Sequence, residues 1–234
     1  MKSSNLSVLL VLLFFNISFS QIKPLDLAII SEQLKDFSLP AYNNGEFKLS
    51  DERGKNVLLV FPRGYYDKDA WCDICAYEYL DIIDEFNNKG LAEKYNLDLA
   101  FVLPYDTSTI KKWLEDLPEV YAELETSKHQ DTVTNEKAKN WVRFANKHYP
   151  KTFSIKKGET PQPFRILSDA DHQLSERFDI FRKEWRGTTV DQNIPTYILV
   201  DKNGEVLFKY ISQHTIDRPT SDYLERIMDA LILK

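Results

Sequence analysis

The sequence predicts an α/β fold: a central sheet covered by helices on both faces. Three observations predict it. Asn56–Phe61 (NVLLVF) and Leu97–Leu103 (LDLAFVL) are short, continuous apolar runs. Such runs suit strands buried on both faces of a sheet. After each of them the apolar spacing turns helical. Strand and helix then alternate along most of the 234 residues, without an internal repeat or a dividing linker.

The elements follow in order. Residues 34–39 lead into Pro40, Asn43-Asn44-Gly45 is a turn signal, and residues 46–50 supply a partner strand, so the domain opens on a β-hairpin. A second turn, residues 51–55, precedes the first buried strand. Beyond Pro62-Arg63-Gly64 and a polar aromatic loop stands Trp71-Cys72-Asp73-Ile74-Cys75. From Cys75 the residues Tyr79, Ile82, Ile83 and Phe86 fall on one helical face, and Gly90 is placed to end that helix. Thr107 is a candidate cap for a helix carrying Ile110, Trp113, Leu114 and Leu117 on one side.

Residues 118–163 break the rhythm. They are polar and read as a mainly helical insertion, with one apolar stripe of Ala138, Trp141, Val142 and Ala145. Trp141 reads as a core residue beneath it. The closing elements are a strand at 164–167, a short helix through Phe178, a strand at 197–200, the turn Lys202-Asn203-Gly204, a strand at 205–211, and a helix after Pro219. That helix buries Leu224, Ile227, Met228 and Leu231.

Composition excludes several classes. Two cysteines cannot build a disulfide scaffold, and seven glycines exclude a collagen-like chain. A net charge of -6 argues against nucleic acid as a partner, because phosphate recognition needs a basic face. Residues 1–20 carry one lysine, an apolar run and a small-residue end. Ser18 and Ser20 suit the recognition positions of a signal peptidase, so the expected mature chain starts at Gln21 and is exported, periplasmic or secreted. No other run is long enough to span a membrane.

Cys72 and Cys75 carry the expected chemistry. They sit between a buried strand and a helix, at the helix start. Free backbone N–H groups and the helix dipole favour a thiolate there. Spacing of three lets one sulfur attack and the other turn back to resolve a mixed disulfide. Cys72, nearer the helix start and more exposed, is the expected nucleophile, and Cys75 the resolving thiol. Trp71 flanks the exposed sulfur as a contact surface. Asp73 opposes thiolate formation through its own charge. A structural disulfide or half a metal site are the alternative readings of the pair. Zinc needs four ligands and no second pair exists, so no metal and no cofactor are expected.

These residues together resemble the thioredoxin-like superfamily, and within it the alkyl hydroperoxide reductase/thiol-specific antioxidant family of peroxiredoxin-like redoxins. The resemblance rests on Asp36-Phe37-Ser38-Leu39 with Asn44-Gly45, and on Trp71-Cys72-x-x-Cys75-x-x-Glu78 after the first buried strand. It also rests on Ile166-Leu167-Ser168-Asp169, and on Ile194-Pro195-Thr196 with Asp201-Lys202-Asn203-Gly204. It implies a thioredoxin-like fold with a central mixed β-sheet flanked by helices. It also implies a cis-Pro195 facing the cysteines, with Ile194 beside it at a substrate-docking edge. The alternative for Pro195 is an ordinary strand-start proline. Glu78 is the candidate for proton transfer, or else an exposed helix carboxylate.

The departures from the family are specific. Where peroxiredoxins carry threonine or serine three residues before the peroxide-reacting cysteine, this chain has Asp69. Their arginine near the start of the closing strand corresponds to Pro195. Arg63 is a candidate substitute, the plainer reading being a solvent-exposed arginine. The proline between thioredoxin cysteines is replaced by Asp73-Ile74, and no acid lies in residues 57–61. The expected function is therefore an exported thiol-disulfide oxidoreductase acting on disulfide- or thiol-containing proteins or a thiol reductant. A thiol peroxidase, and a binding protein with a fixed disulfide, are the alternatives.

Overall fold

The computed structural model describes residues 27–43, 45–129 and 135–233. The expected leader, residues 1–20, and Asn44 of the first turn lie outside the described residues. The chain opens on the expected hairpin, β1 (Ser38–Pro40) and β2 (Glu46–Lys48), paired antiparallel. A 3-10 turn, Leu49–Glu52, leads into β3 (Asn56–Phe61). A small hairpin of β4 (Tyr65–Asp67) and β5 (Ala70–Trp71) follows, and was not read from the sequence. Then come α1 (Asp73–Lys89), the short α2 (Leu91–Lys94) and β6 (Leu97–Leu103). Gly90 ends α1 in the left-handed conformation, as its placement predicts.

Next is α3 (Thr107–Lys128), capped by Asp106 rather than Thr107: Asp106 Oδ1 accepts the Thr109 N–H at 2.7 Å. This helix runs straight through Pro118, where the insertion was expected to begin. A proline inside a helix leaves the carbonyl four residues back without its donor. Here that carbonyl belongs to Leu114, and Thr160 Oγ1 donates to it at 2.7 Å. Replacing this buried hydroxyl by the isosteric Thr160→Val is expected to cost about 1–3 kcal/mol of unfolding free energy, because the Leu114 carbonyl loses its donor. Chemical denaturation with an unchanged m-value checks it, and an unchanged midpoint would refute it.

The helix α4 (Glu136–His148) carries the predicted stripe. Of that stripe Ala145 is fully buried, and Trp141 is half-buried with its Nε1 donating to Ser127 Oγ at 3.0 Å. The chain returns through β7 (Arg165–Ser168), α5 (Gln173–Arg177), β8 (Phe181–Arg182), β9 (Gln192–Asn193), β10 (Thr196–Val200), β11 (Val206–Ile211) and α6 (Ser221–Ile232).

The main sheet is mixed, in the order β11-β10-β3-β6-β7. Strands β3, β6 and β7 are parallel, and β10 and β11 run antiparallel to their neighbours. Side chains alternate between two cores. Leu58 and Val60 of β3 face α1, α3 and α6, whereas Val57, Leu59 and Phe61 face Phe47, Leu174 and Phe178 on the other side. This double burial explains the uninterrupted apolar runs. In α6, Leu224 and Met228 are buried, while Ile227 and Leu231 pack at the edge of the core. Among the described residues, no helix is long and apolar enough to cross a membrane.

Candidate redox site

The two cysteines stand where β3 hands over to α1. Cys72 is the N-cap of α1, and its Sγ accepts the Cys75 backbone N–H at 3.3 Å. Its own N–H donates to the Gly64 carbonyl at 2.9 Å. Both are free thiols. Both are also buried, Cys72 at 3 % exposure and Cys75 at 1 %. The expected exposed sulfur on Cys72 is therefore corrected: the β4–β5 hairpin folds over the helix start and covers it.

Trp71 belongs to that cover. It stacks on Tyr65 with ring centroids 3.5 Å apart, Tyr105 meets both rings edge-on, and the Trp71 Nε1 donates to Asp116 at 2.9 Å. Rather than lining an open surface, Trp71 is buried and ties the redox loop to α3. Asp69 occupies the exposed hairpin tip with a positive φ of 58°.

Pro195 also departs from expectation. No peptide bond among the described residues is cis. Its carbonyl accepts the Ser212 N–H at 2.9 Å, continuing the β10–β11 ladder. The Ile194 N–H donates to Ile180 O, and Ile194 O accepts from Thr196 Oγ1. The backbone expected to dock a peptide is thus consumed within the chain. The loop before the cysteines is faced instead by β9: Gly64 bridges Gln192, and Asn193 N–H donates to Arg63 O. Pro195 lies past that point, at the start of a strand.

Arg63 is buried, not solvent-exposed. Its Nε donates to Gln192 Oε1 and its Nη2 to Thr188 Oγ1, both at 2.7 Å, and its guanidinium lies over the Trp185 ring. The thiols lie within its field.

The largest element missed by sequence reading is Arg218. It lies beyond the last strand, 140 residues from Glu78, yet its Nε pairs with Glu78 Oε2 at 3.2 Å. Its side chain is 3 % exposed. Glu78 in turn accepts the Tyr197 hydroxyl at 3.0 Å. Nothing in the local sequence around Arg218 marks it, because the pairing is made by the fold. Cys72, Cys75, Glu78 and Tyr197 all lie within the field of Arg218, and the two cysteines within that of Arg63 as well.

Charge sets the chemistry of this cluster. Burial pushes the Cys75 thiol up. It is outweighed by the hydrogen bond from the Cys72 thiol, by Arg218, and by the backbone N–H groups of Arg63 and Gly64, which bring Cys75 down to about 6. Burial and the proton shared with Cys75 push Cys72 well above the usual thiol range. The two shifts run in opposite directions, so ionisation of the pair is favoured on Cys75 and disfavoured on Cys72. Burial lifts the Glu78 carboxyl to about 8, against the pull of Arg218 and with the push of Cys75. Arg218, caught between these acids, is held above its ordinary value.

A buried dithiol whose first cysteine caps a helix beside a mixed sheet defines a thiol-based redox protein of thioredoxin-like fold. Residues 30–209 match the model of the AhpC/TSA family, and the chain belongs to that family of thiol-dependent oxidoreductases. Solved structures share the fold at low identity. The reduced 2-Cys peroxiredoxin of Plasmodium vivax is 18 % identical, with a TM-score of 0.53 over 86 % of this chain and 94 % of that one. Mycobacterium bovis AhpC is 15 % identical, with a TM-score of 0.54 over 88 % and 94 %. Enterococcus faecalis AhpC is 16 % identical, with a TM-score of 0.53 over 86 % and 90 %. No curated protein matches the chain.

Proposed function

We propose that this protein is an exported thiol-disulfide oxidoreductase whose Cys72–Cys75 pair exchanges electrons with a disulfide- or thiol-containing protein or a thiol reductant. The observation that carries this reading is the pair of free thiols set one turn apart at the start of α1, with Cys72 as the helix N-cap accepting the Cys75 backbone N–H. Cys72 is the attacking atom. As it bonds to one sulfur of the substrate disulfide, its proton passes to Cys75 and the other substrate sulfur leaves as a thiolate. Cys75 then attacks Cys72 Sγ and closes the pair; the second substrate sulfur leaves with a proton from Glu78, and Glu78 takes up in its place the proton that Cys75 gives up. Glu78, one helical turn beyond Cys75 and buried beside Arg218, exchanges protons with the cluster. Export rests on residues 1–20.

Reduction of insulin disulfides by the reduced protein tests the proposal. Cys72→Ser is expected to lower the rate at least about a hundredfold, since the attacking atom is lost. An unchanged rate would sink the reading. Peroxide consumption no faster than that of a free thiol is expected. The position peroxiredoxins fill with threonine or serine is here Asp69, exposed at the hairpin tip. Fast peroxide turnover would favour the peroxidase instead.

The pH profile has a predicted shape. The rate rises with pH as the cysteine pair ionises at about 6. It falls again as Glu78, the proton source, ionises at about 8. Glu78→Gln is expected to abolish the upper inflection while keeping a lower one. An upper inflection that survives the substitution would exclude Glu78 from that role.

A further inference from the structure

A cleft of about 200 Å³ opens beside the redox cluster. Its walls come from Glu78 on α1, Tyr149 and Lys151 after α4, and Ile216, Arg218 and Thr220 before α6. The wall supplied by the insertion is fixed in place. Buried Lys128 donates from Nζ to the Tyr149 carbonyl at 2.9 Å, and the Lys151 N–H donates to the Tyr77 hydroxyl at 3.2 Å. Glu78 and Arg218, paired with each other, both line the cleft, and Glu78 stands one helical turn beyond Cys75 on α1, so the cleft borders the redox cluster.

Arg218 is incompletely satisfied. Nε is taken by Glu78, and Nη1 donates to Ser212 Oγ at 3.4 Å and to the carbonyls of His214 and Asp217 at 3.3 Å. Nη2 is buried and has no hydrogen-bond partner among the described residues. A guanidinium N–H left unpaired in a buried site is costly, and a carboxylate is its best complement. The start of α6 at Thr220 adds the positive end of a helix dipole, and Lys147 and His148 stand exposed at the rim. Lys151 contributes less, being paired with Asp81 and Glu85.

We propose that this cleft is a carboxylate-binding subsite that seats a small carboxylate-bearing disulfide or thiol beside the Cys72–Cys75 pair, with Arg218 Nη2 as the anchor. The inference rests on the redox function proposed above and names the substrate class it serves. The cleft is of amino-acid size, too small for a folded loop. With cystine as the probe, Cys72 forms a bond to one cystine sulfur, the cystine S–S bond breaks, and one cysteine thiolate leaves. Closure of the Cys72–Cys75 bond releases the second cysteine. Two electrons pass from the protein pair to cystine, and each released thiolate takes up a proton from the cluster or solvent.

The test uses the full, pre-reduced chain in single turnover with cystine and with cystamine, which keeps the disulfide and both amines but lacks carboxylates. Cystine is expected to react at least about tenfold faster, the worth of one charge-assisted hydrogen bond. Net protein charge would favour cystamine, so equal rates or faster cystamine overturn the proposal. Arg218→Lys keeps the charge but loses Nη2, and should bring the ratio close to one; an unchanged ratio overturns it.

A second measurement needs no variant. Sodium acetate should raise the thiolate midpoint of the wild-type pair more than sodium chloride at equal ionic strength, by competing for Arg218; no excess shift refutes the site. The groups facing Arg218 that enter this titration are Cys72, Asp73, Cys75 and Glu78 from the redox helix and its cap, Tyr197 and Tyr210 from the sheet, Tyr149 from the insertion side, and Arg63. If insulin is reduced but cystine shows no preference and acetate no effect, the subsite fails alone. If no disulfide is reduced while acetate still shifts the midpoint, the redox function fails and takes the substrate role with it.

Discussion

Arg218→Gln is expected to remove most of the thiolate present at neutral pH. Arg218 is the buried cation that both Cys75 and Glu78 face, and Cys75 is held at about 6 partly by it. Losing a close opposite charge raises an acid by about 1–3 units. The thiolate fraction at neutral pH then drops roughly two- to a hundredfold, and disulfide exchange drops with it. The sign also holds for Glu78: without its cation the carboxyl moves further up and stays protonated. That neutralisation limits the folding cost, since no unpaired charge remains buried. Titration of the thiolate ultraviolet absorbance gives the answer. A midpoint that stays near the wild-type value would show that the hydrogen bonds to Cys75 suffice without the guanidinium. The paired substitution Arg218→Met with Glu78→Gln serves as the neutral isostere should the single variant unfold.

Gly64→Ala is the second large effect, and it acts on the fold. Gly64 has a φ of +84°, and a Cβ built on it would lie 2.3 Å from the Tyr105 hydroxyl oxygen. That hydroxyl cannot move aside cheaply. It accepts the Tyr65 N–H and donates to the Asp191 carbonyl, both at 2.8 Å. The left-handed backbone and the overpacking together should cost about 2–4 kcal/mol. Gly158→Ala is the control: its φ is +78° with nothing within 4 Å, so it carries the backbone contribution alone. Equal destabilisation of the two variants would refute the close contact. Because the Gly64 carbonyl accepts the Cys72 N–H, Gly64→Ala should also loosen the cap of α1.

Much of this molecule is written locally. The bounds of β3 and β6 coincide with their apolar runs, because strands covered on both faces are apolar at all but one position each, Asn56 and Asp98. The α1 face and its Gly90 terminus follow from periodicity and backbone freedom. What escaped the sequence is what depends on distant pairing. Pro118 looks like a helix end until Thr160 arrives to satisfy Leu114. Cys72 looks exposed until the β4–β5 hairpin closes over it. Pro195 looks like a docking residue until Gln192 and Asn193 take the position facing the loop. Arg63 looks like a surface arginine, Arg218 carries no local mark, and nothing in their neighbours reveals that the fold buries both side chains within the field of the thiols. The cysteines were legible as a pair; the groups that set their charge were not.

The position of Arg218 after the last strand has a consequence in time. A chain emerging from synthesis has Cys72 and Cys75 long before it has their cation. Until the C-terminal segment docks, the two are ordinary thiols, mostly protonated at neutral pH. Ionisation near 6 arrives only with the completed domain. The low midpoint thus belongs to the completed domain and not to the residues around the cysteines.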